Sequence, residues 1–328
     1  MQPDDAETSE PLVTVVIPAF KRTRQLELAI RSLFTQTLQP CRFEVFVVDS
    51  SPDDANLHLV SSLSAEAPCR LECLKKVPEG PGPSRNLGAR SGRADIIAFM
   101  DSDCVASAEW LQAGLVGFAA LQVGLVQGKV MPDPAVPHSV FSWTIQVEEE
   151  NYLYETANIF YRRSAFEAAG GFLHDQRPNA ERPLGGEDVD LAWKVKRAGW
   201  DSAFADKALV FHEVLQISVL RWFVNHRLYV LPRMLRSYPE LRSYLTLGYF
   251  FDIVQVWTVL ALAGIALAPW SLWSLLLITP YVWARGSEGS RTLKGPLRLL
   301  RVLLYAPRDA ASLAVLLAGS VRFRALVL

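Results

Sequence analysis

The sequence predicts an α/β fold: a doubly wound, mostly parallel sheet joined to a C-terminal helical region that associates with a membrane. Three observations carry this expectation. Over the first hundred residues, short apolar runs rich in Val and Ile alternate with segments of helical period, the spacing of βαβ units. Polar or acidic residues stand where those runs end, and open α/β sheets bind ligands beyond the carboxyl ends of their strands. The charge then reverses along the chain. Residues 1–213 hold 20 basic and 30 acidic side chains, a net of −10, whereas residues 214–328 hold 13 against 4, a net of +9. The overall charge of −1 excludes a nucleic-acid binder that works by general basicity. With half of its 328 residues hydrophobic, the chain is neither disordered nor collagen-like.

The elements follow in order. LVTVVI (12–17) is an apolar, β-branched run that stops at Pro18 and reads as a strand buried on both faces. Residues 24–34 place Leu26, Ala29, Ile30, Leu33 and Phe34 on one helical stripe. FEVFVVD (43–49) is a second buried strand, 53–65 a helix and 71–77 a weaker strand. Residues 84–91 are helical, and ADIIAFMDSD (94–103) is a fourth strand with an acidic exit. Beyond it the pattern is mixed, with helices around 107–121 and 187–198 and strands near 124–131, 156–161 and 208–212.

Residues 253–284 carry no charge at all. They are long enough for one tilted membrane span, or for two short helices meeting at Ala268-Pro269. Arg233, Arg236 and Arg242 precede the stretch, and Arg285, Arg291, Lys294, Arg298 and Arg301 follow it. Basic flanks on both sides favour one cytosolic side for both ends, hence a hairpin, with Trp257, Trp270, Trp273 and Trp283 as interfacial anchors. LRLLRVLLY (297–305) reads as an interfacial amphipathic helix, and 310–320 as a further apolar piece. The competing reading is a buried hairpin docked on the sheet domain or on a second subunit. The domains expected are a disordered lead-in (1–11), the sheet domain (12–213) and the basic, apolar helical region (214–328). The acidic N-terminus is unlike a secretory signal. Cys41, Cys69, Cys73 and Cys104 form no CxxC pair, as expected of thiols in a reducing compartment. The expected location is the cell membrane, with the sheet domain on its cytoplasmic side.

Four segments carry chemistry. Asp101 and Asp103, spaced i, i+2 at a strand exit, suit one hard cation, Mg²⁺ or Mn²⁺, that keeps substrate phosphates as further ligands. Asp49 closes another strand beside Pro18, Ala19 and Phe20, where it faces a nucleobase or ribose, or else caps a helix. GPGPSRNLGARSG (80–92) sets glycines ahead of Arg85 and Asn86, a pattern that suits a diphosphate. LGGEDVDLAWKVKRAGW (184–200) opens a helix with Glu187, Asp188 and Asp190, either dipole partners or a general base. His212, in ALVFHEV (208–214), is a structural histidine or a third metal ligand.

The order PAFKR, VVDSS, GPGPSRNLG, DSD, GGED and a later His resembles that of the family-2 inverting glycosyltransferases of GT-A fold, over roughly residues 12–213. The resemblance implies that Pro18, Ala19 and Phe20 line the nucleotide pocket and that Asp49 faces the base. It further implies Asp101 by the ribose and metal, Asp103 on the metal and Asp188 as the catalytic base. Asn158 and Arg162, in ETANIFYRRSAFEAAGGF (155–172), would border sugar and acceptor, as would Glu187 beside the base. His212 matches a metal-side histidine. No QxxRW follows the base, which points to a single transfer rather than polymerisation. The implied partners are a nucleotide-diphosphate sugar, a hydroxyl acceptor that a membrane-near tail would make lipid-linked, and the membrane. Two rival readings are a nucleotidyltransferase, which releases pyrophosphate, and a catalytically silent membrane scaffold of the same fold.

Overall fold

Four strands, β1 (Val13–Ala19), β2 (Phe43–Asp49), β3 (Arg70–Lys75) and β4 (Ile96–Met100), run parallel in the order β3-β2-β1-β4. Every residue of β2 and β4 is buried, as their unbroken apolar runs require of strands covered on both faces. The crossovers are α1 (Thr23–Leu33), α2 (Ala55–Ser64) and α3 (Pro81–Ser91). α3 lies close against the sheet: a Cβ on Gly88 would stand 2.4 Å from Val16 Cγ1. The structure is a computed structural model that describes residues 10–139, 141–173, 185–224, 226–287 and 297–328. Most of the acidic lead-in therefore lies outside the described residues, as do Arg291 and Lys294.

Beyond β4 the sheet becomes mixed. β5 (Cys104–Ala106), β6 (Val123–Pro132), β8 (Asn158–Arg162) and β9 (Asp201–His212) extend it in the order β4-β8-β6-β9-β5, around the helix α4 (Trp110–Val116). β8 is antiparallel to both β4 and β6, β6 runs parallel to β9, and β5 is antiparallel to β9. A two-stranded ribbon pairs β7 (Ser142–Trp143) with β10 (Leu215–Gln216). α5 (Arg163–Ala168) and α6 (Glu187–Arg197) complete this part. Two details differ from the sequence reading. The fourth strand ends at Met100, so Asp101-Ser102-Asp103 occupies the turn before β5. The strand expected over 208–212 starts at Asp201, its first half masked by exposed or half-buried polar residues.

The chain forms two compact units, Met1–Gln216 and Ile217–Leu328. The second unit is helical: α7 (Val219–Phe223), α8 (Leu231–Ser237), α9 (Ile253–Leu267), α10 (Thr279–Ser287) and α11 (Leu297–Phe323). The uncharged stretch is not one span. α9 stops at Leu267, and a 3-10 turn over Leu272–Ile278 folds back along it, close enough that Ser274 Oγ donates to the Gly264 carbonyl at 2.8 Å. The two apolar pieces expected after residue 296 are instead one helix, α11, which contains Pro307. Among the described residues it supplies the one helix, Leu299–Phe323, long and apolar enough to cross a membrane.

Candidate active site

The register places three strand ends side by side: Ala19 pairs with Asp49, and Asp49 with Lys75. After β1 the chain turns through two consecutive non-glycine residues in the left-handed region, Lys21 (φ 59°) and Arg22 (φ 56°), a conformation that costs roughly 1–2 kcal/mol per residue. Side chains from the loop after β2 and from α2 hold that turn. Ser51 Oγ accepts from the Lys21 N–H at 2.6 Å, and Asn56 Nδ2 donates to the Lys21 carbonyl at 3.2 Å. The same two side chains hold Asp49. Its Oδ1 accepts from Ser51 Oγ at 2.6 Å and Asn56 Nδ2 at 3.0 Å, and its Oδ2 from Lys75 Nζ at 3.0 Å. Burial pushes the Asp49 carboxyl up, but these donors outweigh it and hold the group below the ordinary carboxylate range. Asp49 is fully buried, so a nucleobase reaches it only if Lys75, which is partly exposed, gives way. Pro18 is half-buried, Ala19 buried and Phe20 exposed at the same edge.

Arg85 is the centre of the site. It is 4 % exposed, and its NH2 donates to Asp101 Oδ1 at 2.7 Å while NH1 lies 3.5 Å from Glu187 Oε1. Burial opposes its charge, but Asp101, Asp188 and Glu187 together outweigh it and raise its pKa. Among the described residues Nε and NH1 have no hydrogen-bond partner. They are buried donors facing the carboxylates of two distant segments, an arrangement suited to an anionic ligand.

Asp188 enters from α6. Gly185 (φ 80°) and Gly186 (φ 85°) both take left-handed backbone angles, which turn the chain so that Glu187 and Asp188 open the helix. Asp188 Oδ2 accepts from the Thr156 N–H and Oγ1, each at 3.2 Å. Burial first, and the neighbouring Glu187 charge second, push the Asp188 carboxyl up to about 7, against the pull of Arg85 and Thr156. A carboxyl near neutrality is matched to proton abstraction at physiological pH.

The β5–β9 ladder pairs Cys104 with His212 and so brings His212 to Asp103. Asp103 Oδ2 accepts from Arg22 NH1 at 2.5 Å, and Arg22 also reaches Glu213 at 3.4 Å. Asp103 Oδ1 stands 3.7 Å from His212 Nε2. His212 Nδ1 lies 2.7 Å from the Glu213 carbonyl and 3.0 Å from Thr144 Oγ1, which leaves Nε2 as the ring nitrogen that faces Asp103. Burial first, and Asp101 second, raise the Asp103 carboxyl. One oxygen and one imidazole nitrogen spaced this way fit a divalent cation of the Mn²⁺ or Mg²⁺ class. Cys104 Sγ lies within the same 4.8 Å cluster, but burial keeps its thiol pKa well above the ordinary value.

The structure therefore gathers Arg85, Asp101, Glu187 and Asp188, and next to them Asp103 with His212. Asp101 lies outside that cluster of candidate ligand atoms, and its Oδ1 accepts from Arg85. Asn158 and Arg162 depart from expectation. Asn158 is fully buried, its amide spent on the Trp110 indole and the Lys129 and Ala208 carbonyls, which makes it a core residue. Arg162 pairs with Ile96, at the opposite end of β4 from the site, and donates to the Val123 carbonyl. Sequence reasoning missed Thr156, Arg22 and Lys75; Arg22 stands in the quoted PAFKR segment, and Thr156 lies two residues before β8.

Residues 14–171 match the model of Glycosyl transferase family 2. The glycosyltransferase AglE of Haloferax volcanii is 28% identical over 211 residues, which cover 62% of this chain and 67% of that protein. The pre-mycofactocin glycosyltransferase of Mycobacterium tuberculosis is 28% identical over 226 residues, 61% of this chain but only 42% of that protein. Among solved structures, the mannosyltransferase PcManGT of Pyrobaculum calidifontis, in complex with GDP-Man and Mn²⁺, superposes with a TM-score of 0.60 at 17% identity, covering 97% of this chain and 88% of that one. The sheet described above is the GT-A fold, and over residues 14–171 the chain is similar to the glycosyl transferases of family 2.

Proposed function

We propose that the chain transfers one sugar, with inversion, from a nucleotide-diphosphate sugar to an acceptor hydroxyl. The observation that carries this reading is Arg85, buried between Asp101 and the Glu187-Asp188 pair with two donors unspent. A donor diphosphate on those N–H groups puts its sugar near Asp188. Asp188, raised to about 7 and held by Thr156, takes the proton of the attacking hydroxyl. A single enclosed base, acting opposite the leaving diphosphate, supports inversion. Asp103 and His212 would hold a divalent cation, which supplies charge neutralisation at the diphosphate. The Mn²⁺ in the PcManGT complex supports that assignment. Asp49, Pro18, Ala19 and Phe20 would face the nucleoside. We further propose a lipid-linked acceptor at the cytoplasmic face of the cell membrane, on the strength of the basic, apolar C-terminal unit.

The deciding experiment incubates the protein and isolated membranes with a panel of sugar nucleotides. Nucleoside diphosphate release is expected; pyrophosphate release, or none with any donor, overturns the reading. Asp103→Ala is expected to abolish the Mn²⁺-dependent part of donor binding in calorimetry. Unchanged binding would remove Asp103 from the cation site.

A further inference from the structure

The apolar C-terminal unit allows two membrane arrangements, and its internal packing separates them. α11 has the length and hydropathy of a span, but in its second half one face packs on the unit, while Leu317 and Val321 on the other face are exposed. Leu316 is fully buried, Leu313 and Ser320 nearly so, and a Cβ on Gly319 would meet the Tyr229 carbonyl at 2.6 Å. Near its midpoint Asp309 is 3% exposed and takes both Nε and NH2 of Arg285, at 2.8 and 2.5 Å, and the Tyr281 hydroxyl at 2.7 Å. A charged group near the middle of that helix, closed on by Arg285 and Tyr281, is poorly suited to the centre of a bilayer.

The exposed apolar surface lies elsewhere. Trp270, Leu272 and Trp273, at the turn between α9 and the 3-10 turn, are 77–80% exposed, and Trp283 on α10 is 76% exposed. The opposite end of this hairpin is charged. Asp252 caps α9 and feels the charges of Arg285 and Asp309, while the guanidinium carbons of Arg285, Arg301 and Arg308 lie 4.9, 5.1 and 5.4 Å from the Tyr305 ring centre. From that level α9 rises about 22 Å through its 15 residues, too little for a hydrocarbon core of about 30 Å.

We propose that the C-terminal unit is monotopic: the uncharged hairpin enters one leaflet of an anionic bilayer and does not cross it. Trp270 and Trp273, at the tip, sit deep among the acyl chains of that leaflet, Trp283 lies nearer the headgroups, and Arg301 and Arg308 meet lipid phosphates at the hairpin base. Charge complementarity selects the occupant, because the unit from residue 214 onward carries a net of +9 and a cytoplasmic leaflet is negative. The proposal deepens the membrane part of the function given above, and its test is independent of the donor chemistry.

The full chain is mixed with vesicles of phosphatidylcholine alone or with phosphatidylglycerol, and binding is measured by co-sedimentation. We expect binding to the anionic vesicles that Trp270→Ser with Trp273→Ser weakens at least about tenfold. Arg301→Gln with Arg308→Gln should weaken binding several-fold on anionic vesicles and little on neutral ones. Ser271→Cys, challenged by a membrane-impermeant maleimide trapped in the vesicle lumen, should stay unlabelled, whereas brominated acyl chains should quench the tryptophan emission. Luminal labelling would show a crossing and overturn the proposal. Absence of vesicle binding would overturn it in favour of a protein partner on the same face. Nucleotide binding, measured in each variant, reports whether the sheet domain is intact and whether the catalytic reading stands by itself.

Discussion

Asp188 carries the most specific consequences of the site. Its carboxyl is raised from 3.8 to about 7, so it is protonated at pH 5 and ionised at pH 8. The acid limb of the pH–rate profile is expected to bend near 7 in the free enzyme. Asp188→Asn should cut transfer by about a hundredfold or more while leaving donor binding almost intact; comparable turnover would remove Asp188 as the base. The linkage to stability has the opposite pH sense. A carboxyl whose folded pKa lies above its unfolded value stabilises the fold while protonated, and that contribution fades as pH rises from 3.8 through about 7. Asp188→Asn should therefore raise the melting temperature at pH 8 and leave it nearly unchanged at pH 3.5, a difference that calorimetry at the two pH values reads directly. The acidic residues were legible in sequence because the strand ends and the glycine pair mark them. Thr156 and Arg22 were not, because nothing local says that they reach across the sheet to Asp188 and Asp103.

At the level of elements, the parallel half was readable and the mixed half only partly so. β1, β2 and β4 are buried on both faces, and their apolar runs announce it. β5 has three residues, too few for a periodic signal. β9 shifts register against β6 at Gly128/Lys129 and carries Asp201, Asp206 and Lys207 in its exposed stretches, so only its last residues look like a strand. The pieces expected over 297–305 and 310–320 are one helix, whose backbone continues through Pro307. Asn158, which the resemblance placed beside sugar and acceptor, instead makes three hydrogen bonds to core groups, a tertiary setting that no local pattern reveals. The close approach of α3 gives an element-level test. Gly88→Ala would force its methyl against Val16, with an expected loss of about 1–3 kcal/mol in urea unfolding. A loss below a few tenths would show that α3 can move away.

For the molecule as a whole, the near-zero charge hides two opposed halves, −10 before residue 214 and +9 from it onward. Binding to anionic vesicles should therefore weaken steeply as ionic strength rises from about 0.05 to about 0.5 M, where the screening length falls below about 5 Å. Sedimentation across that range checks it; insensitivity to salt would assign the binding to apolar insertion alone. The β5–β9 pairing has one more consequence, for how the protein is made. Cys104 and His212 pair across about a hundred residues of chain, and contacts so distant form late and slowly. During synthesis the segment through Asp103 leaves the ribosome well before His212 does. No N-terminal fragment ending before β9 can bring Asp103 and His212 together, so this juxtaposition is acquired only when the sheet closes.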